Sequence, residues 1–61
     1  MLIKSLSHIP KIAEFYFPLD DIISLQKTTV PLKYEAVVSL AGENFTHEIS
    51  KEDFDFLVRV L

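Results

Sequence analysis

Hydrophobic positions along the chain fall into two rhythms. From Lys33 to Leu40, Tyr34, Ala36, Val38 and Leu40 alternate with Lys33, Glu35, Val37 and Ser39, the period of a half-buried strand. After Ala41 and Gly42 the alternation resumes, with Phe45 and Ile49 set against Asn44, Thr46 and Glu48. The inward set is even-numbered before the turn and odd-numbered after it, so the loop must be even in length. A hairpin turning on Ala41-Gly42 meets that condition and pairs Val38 with Phe45, Ala36 with His47 and Tyr34 with Ile49. Gly42, the chain's only glycine, supplies a backbone conformation that other residues adopt at a cost. The same register sets Glu35 opposite Glu48, like charges that repel mildly.

Upstream, "KIAEFYF" predicts a strand with Ala13, Phe15 and Phe17 on one face and Ile12, Glu14 and Tyr16 on the other, ended by Pro18. "LDDIISLQKT" predicts a tight turn and then a strand from about Ile22 to Thr28, with Ile23 and Leu25 inward, closed by "TVP". In the opening residues, Leu2, Leu6 and Ile9 fit a helical turn and a strand equally, while Ile9 before Pro10 should be extended.

The other rhythm, near 3.6, governs "SKEDFDFLVRVL". Ser50 is an N-cap, Asp53 stands at the third helical position and suits the positive end of the helix dipole, and Ile49 with Phe54 forms a hydrophobic staple. At roughly 100° per residue, Phe54, Leu57, Val58 and Leu61 share the stripe expected to face the sheet. Phe56 and Val60 fall on the far side, between Glu52 and Asp53. The expected architecture is an α+β domain spanning 1–61, with residues 1–10 undecided. Residues 11–49 form a β-meander of three or four antiparallel strands, and residues 50–61 a C-terminal helix packed on one face.

Size changes the picture. A chain of 61 residues hides a small fraction of its surface, and with no cysteine it has neither disulfides nor thiolate metal sites to support its core. Oligomerisation or a partner is the remaining aid. Hydrophobic residues at 49% against 25% charged exclude a disordered chain. A net charge of −3 argues against phosphate tracking. The opening "MLIKSLSHIP" forms no signal core and nothing reaches membrane-spanning length, which gives the expectation of a soluble cytoplasmic protein without membrane contact. "NFT" at Asn44 then matches a glycosylation acceptor by chance.

Candidate chemistry is sparse. No serine sits in a nucleophile elbow, Ser50 being used as a cap, and no glycine-rich phosphate loop exists. His8 and His47 with Glu14, Asp20 or Asp21 have no metal-site spacing, and adjacent Asp20 and Asp21 fit a solvated turn better than an acid–base pair. The expectation is therefore a non-enzyme with no cofactor and no metal. A half-buried His47 would make stability sensitive to acid.

Three features point to recognition. Phe56 and Val60 form an apolar pair off the sheet-facing stripe, Phe15 and Tyr16 put aromatics on both faces of one strand, and acids run from Glu43 to Asp55. They suggest a protein-interaction module that associates with itself and modulates a larger partner. Phe56 and Val60 would be anchors, Phe15 and Tyr16 secondary anchors, and Glu52, Asp53 and Asp55 a charged rim. One alternative is an acidic inhibitor, for example phage-encoded, that blocks a nucleic-acid-binding host complex. Another is a nucleic-acid-binding regulator using Lys4, Lys11, Lys27 and Lys33 with the aromatics, which the lack of an arginine cluster disfavours. The order "DDIISLQKT" then "AVVSLAGENFTHEISKEDFDFLVRVL" resembles short bacterial and phage-encoded proteins built as a meander and a capped helix, including small swarming-type flagellar-motility proteins. That resemblance implies a fold and no activity.

Overall fold

A computed structural model describes residues 1–7 and 14–61. The expected strand start at Lys11, Ile12 and Ala13 lies outside the described residues, as do His8, Ile9 and Pro10. Among the described residues the order is β1 (Leu2–Ser5), β2 (Phe15–Pro18), a 3-10 turn (Leu19–Asp21), β3 (Ile22–Thr29), β4 (Leu32–Leu40), β5 (Glu43–Ile49) and α1 (Lys51–Val60). The protein is α+β: β3-β4-β5 form an antiparallel meander and α1 packs on its inner face. The sequence left residues 2–5 open, and they make the difference from a single sheet. They pair antiparallel with β2 as a two-stranded ribbon that sets Ile3 against Phe17.

The central hairpin follows from parity. Tyr34 pairs with Ile49, Glu35 with Glu48, Ala36 with His47 and Val38 with Phe45. The turn places Ala41 at φ 52 and Gly42 at φ 80, two left-handed residues whose twist matches that of the strands. Repulsion at Glu35 is eased from a neighbouring strand, since Gln26 Nε2 donates to Glu35 Oε1 at 2.8 Å.

Strand β3 departs from simple alternation. Leu25 pairs with Ala36 and Ser24 with Val37, but Ile22 pairs with Val38, which leaves Ile23 as an extra bulged residue. The bulge resets the parity. Ile22 and Leu25 pack against the core, whereas Ile23, expected inward, is 56% exposed.

Helix α1 begins as its cap requires, the Asp53 backbone N–H donating to Ser50 Oγ at 3.0 Å. Its buried stripe differs from the expected one. Leu57 is fully buried and Phe54 and Phe56 pack partly buried on the core, while Val58 and Leu61 are exposed. The Tyr34 and Phe54 rings meet at 5.0 Å, which holds Phe54 at the flank of the stripe and not at its centre. The sheet-facing side is thus turned by roughly 70° towards Phe56.

The core comprises Ile3, Phe17, Ala36, Val38, Ile49 and Leu57, drawn from the ribbon, the meander and the helix. Polar clasps join ribbon to meander. The Leu6 N–H donates to the Glu48 carbonyl at 2.7 Å, the Glu48 N–H to Ser7 Oγ at 2.8 Å, and Ser5 Oγ lies 3.0 Å from His47 Nδ1. No helix among the described residues is long and apolar enough to cross a membrane.

Candidate functional site

Helix α1 covers the Tyr34–Ile49 end of the meander's inner face, and the ribbon lies over its middle. Towards the Ala41-Gly42 turn the cover stops and leaves a cleft of about 210 Å³. Phe15, Tyr16, Phe17 and Pro18 of β2 line one side, and Val38, Leu40, Phe45 and His47 of the hairpin line the other. Asp21, from the 3-10 turn, contributes the only charged side chain in the lining among the described residues. Register sets Glu43 directly opposite Leu40, on the same face of the hairpin. Phe45, Leu40 and Tyr16 remain 43%, 54% and 46% exposed, so the cleft is an open apolar surface and not an internal void.

The floor is built around His47. His47 stacks between Phe15, at 5.0 Å and 14° between planes, and Phe17, at 5.2 Å and 29°. Its Nδ1 meets the hydroxyl of buried Ser5, which also accepts the Ser7 N–H at 3.2 Å. Burial holds the His47 imidazole below its ordinary pKa, because the charged ring would lose solvation among apolar neighbours. The stacked neutral ring therefore acts as a spacer between the ribbon and β5.

The structure divides the expected binding residues between two places. Phe15 and Tyr16 line the cleft, with the Tyr16 hydroxyl donating to Glu14 Oε2 at 3.1 Å, while none of the helix residues reaches it. Phe56 is partly buried on the core, whereas Val60, at 51%, is exposed at the end of α1. Glu52 and Asp53 occupy the first helical turn, and the Asp53 N–H serves the cap. Asp55 is held by Lys51 at 2.8 Å, an exposed pair whose hydrogen bond and charge attraction raise the lysine pKa. Sequence reasoning missed Phe45, Leu40 and Asp21 as parts of one surface. The signal was available for Leu40 and Phe45, which share the hairpin's inner face near its turn, whereas Asp21 is brought beside them by the pairing of Ile22 with Val38.

Among the described residues no three side chains of the metal-ligating types come together. The cleft volume falls below the roughly 300–1,000 Å³ of sites that enclose small-molecule ligands and suits one or two protruding side chains. No family model, curated protein or solved structure matches the chain.

Proposed function

We propose that the protein is a non-catalytic protein-interaction module that associates with itself, modulates a larger partner, and uses the aromatic cleft between β2 and the β4–β5 hairpin as its contact surface. The observation that carries this reading is the cleft: apolar side chains stay exposed around an apolar floor held by the His47 stack. Interfaces draw their energy from such places, where bulky anchors enter pockets of complementary shape. Phe15, Phe45 and Leu40 supply contact area, and Tyr16 adds an aromatic body with a polar tip. Phe45→Asp tests the reading, because the side chain is exposed at the hairpin end and its loss leaves the core residues in place. Self-association measured by light scattering should weaken at least tenfold with the fold retained by circular dichroism. Unchanged association in a folded variant would remove the cleft from the interface.

A further inference from the structure

We infer that the occupant of the cleft is the end of helix α1 from a second copy of the chain, with Val60 meeting the aromatic lining and the adjacent Arg59 meeting Asp21. This rests on the reading of the cleft as a self-association surface and names what fills it. The two surfaces are complementary in both respects that matter. The helix end exposes Val58, Val60 and Leu61 at 56%, 51% and 59% around an exposed Arg59, the chain's only arginine. The cleft is lined mainly by apolar residues together with Asp21, and Glu43 stands across from Leu40 near its end. Among the described residues neither Arg59 nor Asp21 has a salt-bridge partner within its own chain.

Arginine suits this position better than the lysines do. Its planar guanidinium pairs with a carboxylate through two parallel hydrogen bonds and sheds water more readily than an ammonium, which matters beside aromatic walls. Lys51 is engaged with Asp55, Lys4 with Glu14, and Lys27 lies 5.7 Å above the Tyr34 ring. Lys33, beside the exposed Val30 and Leu32, is the competing apolar–basic element and provides the control.

The test is charge exchange. Light scattering across a wide concentration range is applied to the native chain, Asp21→Arg, Arg59→Asp, their equimolar mixture, the double variant carrying both, and Lys33→Glu. Native chain and Lys33→Glu should associate equally. Each single variant should associate at least tenfold more weakly, because arginine then faces arginine or aspartate faces aspartate. The mixture restores opposite charges at every helix-end contact, and the double variant does so within one chain, so both should return to within severalfold of native. Recovery in the double variant also separates loss of contact from loss of fold. Single variants that associate like the native chain, a mixture and double variant that fail to recover, a monomeric native chain, or loss of association confined to Lys33→Glu would each overturn the assignment. If Phe45→Asp abolishes association while the charge variants do nothing, the cleft remains the interface and only its occupant is wrong. If Phe45→Asp leaves association intact, the reading of the cleft itself falls.

Discussion

The two ends of the meander's inner face are finished differently. At one end Tyr34 and Ile49 lie beneath α1, where Leu57 is fully buried and the Phe54 ring meets Tyr34 at a tilt of 50°. At the other, Leu40 and Phe45 have the same inward register but remain about half exposed, because the ribbon covers the sheet only as far as Val38 and His47. Similar strand chemistry thus yields core where an element lies over it and an exposed apolar surface where none does. The difference resides in the cover and not in the strands.

Mutating the two ends should give unequal losses of stability. Leu57→Ala removes a fully buried side chain and should cost about 2–5 kcal/mol, enough to unfold much of a small domain of marginal stability. Leu40→Ala at the open end should cost under about 1 kcal/mol, since that side chain is half exposed. Urea unfolding of both variants measures the contrast, and equal losses would show that the open end is as well packed as the covered one.

Removing the cap sharpens the comparison without touching the core. Ser50→Ala frees the Asp53 N–H and should cost about 1 kcal/mol, confined to the helix-covered end. Amide exchange should quicken in α1 and stay slow in the ribbon. An equal effect on the ribbon would show that the two ends unfold together.

At the open end, the turn offers the opposite sign. Ala41 stands at φ 52, a conformation that disfavours side chains with a Cβ by roughly 1–2 kcal/mol. Ala41→Gly relieves that strain while loosening the unfolded chain, for a net gain of about 0.5–1 kcal/mol. Gly42→Ala should lose about 1 kcal/mol, through the backbone alone, since a Cβ there meets nothing within 4 Å. Thermal unfolding of both variants reads the two signs.

The smallest expected effect is that of acid on the boundary between the two ends. Burial lowers the native pKa of His47 below the ordinary imidazole value, so the unfolded chain takes up a proton that the native ring resists. Its contribution to stability is complete above about pH 6.5, declines as pH falls through the window down to the lowered native pKa, and is constant below it. His47→Phe should flatten the pH dependence within that window. An identical slope in native protein and variant would assign the sensitivity to other groups.

How much of this was legible depended on range. The hairpin register, the Ala41-Gly42 turn and the Ser50 cap rest on neighbours in sequence, and alternation with capping chemistry specified each of them. Ile23 misled because one bulged residue reverses parity, and the advantage of putting Ile22 beside Val38 is decided by the core, not by β3. The helix stripe was displaced towards Phe56 for a similar reason, since the period fixes which residues share a face but contact with the sheet selects the face. Phe15 and Tyr16, singled out by their aromatic crowding, both line the cleft. Asp21 was not legible as their neighbour, because its place beside Leu40 follows from the bulged pairing of Ile22 with Val38.

The clasp between ribbon and meander has a consequence for the order of assembly. Ser5 and His47 are 42 positions apart, whereas the β3–β4 and β4–β5 pairings close through tight turns. Loop-closure entropy grows by about 0.6 kcal/mol for each doubling of loop length, so the ribbon's attachment bears a burden that the meander escapes. Contacts of that separation form late on a folding route. The meander and its helix are the natural first unit, and the ribbon docks onto a scaffold already in place. Run in reverse, the same order makes the Leu6 and Glu48 amides the reporters of a partial opening in which the ribbon lifts away while the hairpin stays zipped. The floor of the cleft is therefore expected to be completed last and to open first, with exchange of the Leu6 and Glu48 amides ahead of the hairpin's as the measurement that checks it.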